Sequence, residues 1–84
     1  MAYRIVWSSK AAKQMANLDR SIAKRIYSKV GQLVEKPERY VERLVGSIYY
    51  KLRVGDYRII LDIDDETLRI LILKMGHRSN VYDR

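Results

Sequence analysis

Two β-forming stretches separated by a short turn signal constrain the fold of this chain more than any other feature. Residues 48–54 and 57–63 are rich in aliphatic and aromatic side chains, and Gly55-Asp56 stands between them. Two such runs joined by two turn-forming residues predict a β-hairpin with a tight turn. The length of that turn sets which residues face each other along both strands. A turn one residue longer would shift the pairing.

In the two-residue register the hairpin has one apolar face and one cationic face. Alternate side chains of a strand share a face, and paired residues point to the same side. Arg53 then lies opposite Arg58, with Lys51 and Tyr49 on the same side. The other face is formed by mostly aliphatic residues: Ile48, Tyr50, Leu52, Val54, Tyr57, Ile59, Leu61 and Ile63.

The cationic face favours an anion-binding site. Like charges directly opposite in a sheet cost a few tenths to about 1 kcal/mol. Basic side chains that merely cover the sheet with their stems would explain one or two cations. They explain an Arg53–Arg58 pair less well. Asp62 is the one acid that this register places on the same face, four residues beyond Arg58.

Two amphipathic helices are predicted between a first strand, residues 3–7, and the hairpin. Ser8 or Ser9 can cap the first helix, and Asp19 or Ser21 the second. Pro37 ends the second helix by about residue 36. Their apolar residues recur at spacings of three and four, which is one face of a helix: Ala11, Met15 and Leu18, then Ile22, Ile26, Val30 and Leu33.

The element order predicts an α+β fold, β-α-α-β-β-β, in which a helical hairpin packs on a mostly antiparallel four-stranded sheet. Residues 68–75 form the last strand, and its continuous apolar run over 70–73 predicts an interior strand covered on both faces. A short C-terminal tail follows. Residues 37–46 form a connector to which the pattern assigns no secondary structure.

Composition limits the functional classes. A chain of 84 residues is expected to form a single domain, residues 1–84. It contains no Cys, which excludes disulfides and thiolate metal sites. It has no apolar run of roughly 18 residues and no signal-peptide pattern, so we expect a cytoplasmic protein without a membrane span. The net charge of +7 favours a polyanionic partner.

Two segments together resemble the RelE/ParE superfamily of type II toxins, and its RelE branch in particular. They are the stretch YKLRVGDYRII over residues 50–60 and the stretch GHRSNVY over residues 76–82. The resemblance implies ribosome-dependent endonucleolytic cleavage of messenger RNA in the A site. It also implies a cognate antitoxin protein, in a heteromeric complex that blocks the toxin, and no metal or cofactor.

The resemblance further implies roles for individual residues. In metal-free cleavage the ribose 2′-OH attacks the adjacent phosphate, so the site must hold the phosphate and move two protons. Arg53 and Arg58 can hold the phosphate. Lys51 can promote deprotonation of the 2′-OH or can itself act as the base. Arg78 matches a position that stabilises the transition state or protonates the leaving group, and Tyr82 one that stacks on a base or transfers a proton.

Two positions depart from the family's pattern. Tyr49 stands where relatives carry a second Lys, and His77 stands where some carry Lys; an imidazole could serve as acid or base. Tyr49 and Arg43 are further candidates for RNA contacts, as is Arg39 in the connector. Two alternatives remain open: a ParE-like protein that inhibits DNA gyrase, and a basic RNA-binding module without catalytic activity.

Overall fold

The computed structural model describes residues 2–77, which form two helices packed on one sheet. The elements are β1 (Arg4–Trp7), α1 (Ser9–Ala16), α2 (Arg20–Gly31), β2 (Val41–Arg43), β3 (Tyr50–Val54), β4 (Tyr57–Asp64) and β5 (Arg69–His77). Within residues 2–77 the sheet has five strands in the order β1-β5-β4-β3-β2; β1 and β5 run parallel and the other neighbours antiparallel. The predicted α+β class is confirmed. The strand count of four is corrected to five because β2 forms within the connector.

The β3–β4 hairpin has the predicted register. Arg53 pairs with Arg58 and Val54 with Tyr57. Gly55 has a φ of +58° whereas Asp56 does not have a positive φ, a combination that a type II′ turn requires of its two central residues. A Cβ on Gly55 would also lie 3.3 Å from Nη2 of Arg25 on α2. Glycine is therefore required by the positive φ of the turn. The end of the flexible Arg25 side chain would have to shift only slightly to admit a Cβ.

The core lies between the helices and one face of the sheet, here called the inner face. Each of the main elements α1, α2, β3, β4 and β5 contributes to it, with Ala11, Ile26, Val30, Leu33, Leu52, Val54, Ile59, Leu61, Ile70, Ile72 and Met75 buried. Ile48, predicted to belong to this face, is 68% exposed. The backbone N–H of Leu44 donates to the carbonyl of Tyr49, which folds residues 44–49 into a loop, so β3 begins only at residue 50.

The irregular pairing of β4 with β5 changes which side chains of β5 reach the core. Ile60 pairs with Lys74 and Leu61 with Ile72, so Leu73 is left without a partner on β4. A bulge of this kind shifts the alternation of side chains by one position. As a result Ile72 and Met75 are both buried in the core.

The apolar run over residues 70–73 does form an interior strand, but its coverage differs from the prediction. The inner-face side chains Ile70 and Ile72 are 0% exposed, whereas Leu71 and Leu73 on the opposite face are half-buried. The helices cover only the inner face. Leu73 instead packs with Leu44 of the loop and Ile60 of β4 in a small second cluster.

Ser8 joins the first helix to the bulge. Its Oγ accepts a hydrogen bond from the backbone N–H of Ala11 at 3.0 Å, which caps α1, and donates to the carbonyl of Leu73 at 2.8 Å. On the other side of the bulge, the N–H of Met75 donates to Oε1 of Gln14 at 2.8 Å. The start of α1 and its second turn thus hold both sides of the irregular segment of β5.

The second helix is shorter than predicted. It ends at Gly31 and is followed by a 3₁₀ turn, Gln32–Val34, rather than continuing to residue 36. The carbonyl of Val34 accepts a hydrogen bond from the N–H of Tyr3 at 2.7 Å, so this turn is linked to the residue that precedes β1. Among residues 2–77, no helix has the length and apolar character needed to cross a membrane.

The two bonds of Ser8 give a stability prediction with a matched control. Ser8→Ala removes the cap and leaves the Leu73 carbonyl without its hydroxyl donor, so we expect the free energy of unfolding to fall by about 1–3 kcal/mol. Ser9→Ala, at the exposed first residue of α1, should change it by less than about 0.5 kcal/mol. Urea denaturation measures both. Equal effects of the two substitutions would contradict the bridging role of Ser8.

Candidate nucleic-acid interface

The sheet face that points away from the helices, here called the outer face, carries the predicted cations in two transverse rows. One row runs from β2 to β5 as Glu42, Lys51, Ile60 and Lys74. The other runs from β3 to β5 as Arg53, Arg58 and Gly76. The rows are two residues apart along the strands, or about 7 Å. Lys51, Arg53 and Arg58 are therefore brought together, as predicted.

Arg53 and Arg58 face each other across the β3–β4 hairpin on the outer face. The partner of Arg58 on β5 is Gly76, which has no side chain, and β2 does not extend to Arg53. A second like-charged pair, Arg4 with Arg69, provides a comparison on the same face. There Asp64 pairs with Arg69 on its other side, so an acid compensates the repulsion.

Lys51 has an acidic neighbour that the hairpin alone does not show. Its Nζ lies 3.7 Å from Oε1 of Glu42, directly opposite on β2. The Lys51 side chain is 14% exposed and that of Glu42 79%. The expectation that Asp62 is the one acid on this face is therefore wrong, because β2 adds Glu42. This strand of three residues lies in a connector whose pattern does not predict it.

Lys74 is a further cation of the outer face that the sequence pattern did not identify. It pairs with Ile60, in the same row as Lys51, and is exposed. Simple alternation from Ile70 and Ile72 would place residue 74 on the inner face. The bulge at Leu73 reverses its direction. A polar residue at an expected core position is the signal that could have revealed the reversal.

Two of the predicted residues lie on the inner side of the sheet instead. Arg43 pairs with Tyr50, to which its Nη2 donates a hydrogen bond of 2.8 Å, and its guanidinium lies 4.9 Å from the ring centroid. His77 pairs with Tyr57 and contacts its ring edge-on, with centroids 5.6 Å apart. The rings of Tyr57 and His77, together with Ile22 and Arg25 of α2, line a cavity of about 290 Å³ at the hairpin turn.

The remaining predicted residues are less constrained by the structure. Tyr49 is 37% exposed in the loop before β3, one residue before the paired segment. Arg39 is exposed and ends a 3₁₀ turn, Pro37–Arg39. Arg78 and Tyr82 lie outside the described residues. Among residues 2–77, no group of three or more His, Asp or Glu side chains is arranged to hold a metal ion.

The net charge of the chain is not concentrated on the outer face. Residues 8–31, which contain both helices, carry six Lys or Arg and one Asp, a net charge of +5 out of the total of +7. Arg20, Lys24 and Lys29 of α2 are all exposed. The overall charge therefore supports attraction to a polyanion by the whole molecule, while the paired arginines distinguish the outer face.

Comparison with models of known protein families identifies the family of this chain. The model described as "ParE toxin of type II toxin-antitoxin system, parDE" matches residues 5–82. The chain belongs to this family, within the RelE/ParE superfamily of toxins. The superfamily predicted from the two sequence segments is thereby confirmed.

Curated relatives of this toxin carry RelE-type names. The chain is 26% identical over 87 residues to the mRNA interferase toxin RelE of Escherichia coli K12, covering 98% of this chain and 92% of that protein. It is 29% identical over 87 residues to the toxin RelG of Mycobacterium tuberculosis, covering all of both.

Solved structures agree with the fold. The toxin–antitoxin complex RelBE2 of Mycobacterium tuberculosis contains a chain with a TM-score of 0.85 and 26% identity, covering 93% of this toxin and 100% of that chain. The RelE–RelB complex of the archaeon Pyrococcus horikoshii contains one with a TM-score of 0.81 and 27% identity, covering 96% and 100%.

The comparison of the two arginine pairs gives a second prediction. Arg53→Glu replaces a repulsive pair with an attractive one, so we expect the free energy of unfolding at low salt to rise by about 0.5–1 kcal/mol. In Arg69→Glu the gain against Arg4 is offset by the new repulsion from Asp64, so little change is expected. Urea denaturation at low and high salt checks both, since salt should reduce the gain. A less stable Arg53→Glu protein would show that the facing arginines are not under repulsion.

Proposed function

We propose that this toxin cleaves messenger RNA in the A site of a 70S-type ribosome, in the cytoplasm, by metal-free attack of the ribose 2′-OH. The observation that carries the proposal is the Arg53–Arg58 pair, two cations that the hairpin register holds opposite each other on the outer face. Support comes from the mRNA interferase name of a relative that is 26% identical over nearly the whole chain.

In this proposal Arg53 and Arg58 bind the scissile phosphate. Guanidinium groups can donate two parallel hydrogen bonds to phosphate oxygens, and they remain protonated throughout the reaction. Both side chains project from paired strands of a sheet whose inner face is buried, so the backbone positions of the two arginines are fixed. Charge that develops on the phosphoryl oxygens during attack would be stabilised by donors that need little reorganisation.

The neighbouring residues complete the proposed site. Lys51 adds a cation in the next row, and exposed Lys74 is available to a flanking phosphate. Arg78 and Tyr82 are proposed to stabilise the transition state and to contact the substrate, as the family resemblance implies. They follow β5, whose residue Gly76 lies beside Arg58. We do not assign His77 to the phosphate site, because its ring lies with Tyr57 on the inner side.

The proposal includes a cognate antitoxin as the protein partner. The structural relatives with 26% and 27% identity come from toxin–antitoxin complexes. An antitoxin that covers the outer face or blocks entry to the ribosome would hold the toxin inactive in a heteromeric complex.

DNA gyrase inhibition is the second candidate function. It is favoured by the matching family model, whose description names ParE. Inhibition of gyrase by binding does not require a phosphate site with positioned cations, so it leaves the Arg53–Arg58 pair without a role. For that reason we rank it below RNA cleavage.

Translation in vitro with a defined messenger tests the proposed function. We expect cleavage at defined codons when ribosomes are present. The cleaved ends should be a 2′,3′-cyclic phosphate and a 5′-OH. EDTA is added only after cleavage, before the ends are analysed. A supercoiling assay with gyrase is run in parallel. Intact messenger together with inhibited supercoiling would replace the proposed function with the second candidate.

Substitutions on the outer face give a residue-level prediction. Arg58→Ala, Arg78→Ala and Tyr82→Ala should each lower the cleavage rate by at least 10²-fold and relieve growth arrest on expression, because each removes a phosphate donor or a proposed substrate contact. Arg69→Ala, on the same face beside Asp64, is the matched control and should retain toxicity. Thermal unfolding confirms that the variants are folded. Full toxicity of Arg58→Ala would contradict the phosphate site.

A further inference from the structure

We propose that Gln14 of α1 is a positioning residue for the phosphate site, because it holds the bulge of β5 in place. The bulge determines which residue of β5 lies beside Arg58 on the outer face. The inference rests on the proposed function and adds to it a residue that does not touch the substrate. Gln14 belongs to the helical layer, so its influence passes through the backbone of β5.

The neighbour of Arg58 on β5 differs between the bulged register and a regular one. In the structure Arg58 lies opposite Gly76. The register on the other side of the bulge pairs Leu61 with Ile72. Continued without interruption, that register would place Met75 opposite Arg58. Paired residues point to the same side of a sheet, so Met75 would then leave the core and project from the outer face.

Met75 on the outer face would disturb the phosphate site in two ways. Its apolar side chain would lie against Arg58, where the proposed function requires phosphate oxygens to bind. A register shifted by one residue would also move the end of β5 by about 3.4 Å along β4. That end, His77, is directly followed in the sequence by Arg78, to which the proposed function gives a role at the phosphate. The bulge therefore sets both the surroundings of Arg58 and the point from which the chain continues beyond β5.

Gln14 supplies a hydrogen-bond acceptor on one side of the bulge. Its Oε1 accepts from the backbone N–H of Met75 at 2.8 Å, in a half-buried position. A bulge removes backbone groups from the strand ladder, and buried groups of this kind need another partner. Among residues 2–77, this is the one hydrogen bond that the Gln14 side chain makes. Because Met75 would point away from α1 in the regular register, the bond favours the bulged one.

Gln14 can be replaced with little effect on the helix itself. It lies inside α1 rather than at its cap, and Leu has a helix propensity similar to that of Gln. The N-cap residue Ser8 donates to the carbonyl of Leu73 on the other side of the bulge, so its loss would weaken α1 and the bulge together. Substitution of Gln14 therefore tests the bulge while the cap stays intact.

The first test measures single-turnover cleavage of a defined messenger on ribosomes at increasing toxin concentration. Gln14→Leu removes the acceptor, and Gln14→Asn shortens the side chain by one carbon so that its oxygen cannot reach Met75. For both we expect the rate at saturation to fall on the order of 10²-fold, as displaced catalytic groups do. The half-saturating concentration should change little, because Arg53 and Lys51 are held by the hairpin rather than by the bulge.

Two further variants serve as controls in the same assay. Gln14→Glu keeps an acceptor oxygen at the same reach and should cleave at nearly the wild-type rate. Ala12→Leu adds an apolar side chain on the exposed side of the same helix and should leave the rate unchanged. Thermal unfolding verifies that all four variants are folded at the assay temperature.

The second test follows the bulge without ribosomes or RNA. Amide hydrogen exchange of Met75, measured by NMR, should be faster in Gln14→Leu and Gln14→Asn than in the wild type. Gln14→Glu and Ala12→Leu should keep the protection of this amide. Unchanged exchange in Gln14→Leu would show that Gln14 does not hold the bulge and would overturn the inference.

The outcomes separate this inference from the proposed function. If the wild-type toxin cleaves and Gln14→Leu and Gln14→Asn cleave equally fast, Gln14 does not position the site, whereas RNA cleavage stands. An equal loss in Gln14→Glu would rule out the acceptor role. A higher half-saturating concentration with an unchanged saturated rate would also overturn the inference, because it would assign Gln14 to ribosome binding. If the wild-type toxin leaves the messenger intact on ribosomes, the proposed function fails, and the role of Gln14 at the phosphate site fails with it.

Discussion

The tight turn at Gly55-Asp56 is the constraint on which both faces of the sheet depend. Because the turn has two residues, Arg53 must face Arg58, and the inner-face residues of β3 and β4 must all point towards the helices. A register slip of one residue would bury cations and expose the core. The positive φ of Gly55 fixes this turn, and the Arg25 side chain of α2 lies beside it along the same cavity. Burial of the apolar inner face thus keeps Arg53 and Arg58 opposite each other on the outer face.

The bulge at Leu73 determines which side chains of β5 face the core, as the tight turn does for β3 and β4. Without it, Met75 would point outwards and Lys74 into the core, since alternation from Ile72 is strict in a regular strand. The carbonyl of Leu73 is held by the hydroxyl of Ser8, so the irregularity is stabilised by the first helix. One residue inserted into the strand therefore adds a cation to the outer face and turns His77 towards Tyr57.

Local patterns predicted the parts of the structure that they control. The hairpin register, a cap from one of the two serines Ser8 and Ser9, and the apolar stripes of both helices follow from turn chemistry and periodicity, and all are found. At the second helix Asp19 occupies the N-cap position, but its side chain makes no capping hydrogen bond. The fifth strand was not predicted because Val41–Arg43 pairs through tertiary contact rather than through a β-forming run of its own. The bulge was missed for a related reason. It depends on a hydroxyl from residue 8, far away in the sequence.

These two omissions also explain which parts of the site escaped prediction. Glu42 and Lys74 belong to the outer face only because of β2 and the bulge, respectively. Arg43 was expected to contact RNA from a loop, but pairing with Tyr50 turns it to the inner side. The cations that were predicted correctly, Lys51, Arg53 and Arg58, are those whose direction depends on the turn alone.

The distribution of charge separates attraction from recognition. Since the helical segment carries +5 of the net +7, the field of the protein attracts a polyanion without selecting the face that carries the paired arginines. At physiological salt the attraction between exposed charges is largely screened beyond a Debye length of about 8 Å, so the charges of the helices do little to orient a polyanion at the opposite face of the sheet. Orientation must come from groups whose positions the sheet fixes. Arg53 and Arg58 satisfy that condition, because the pairing that makes them repel each other also holds them ready for an anion between them.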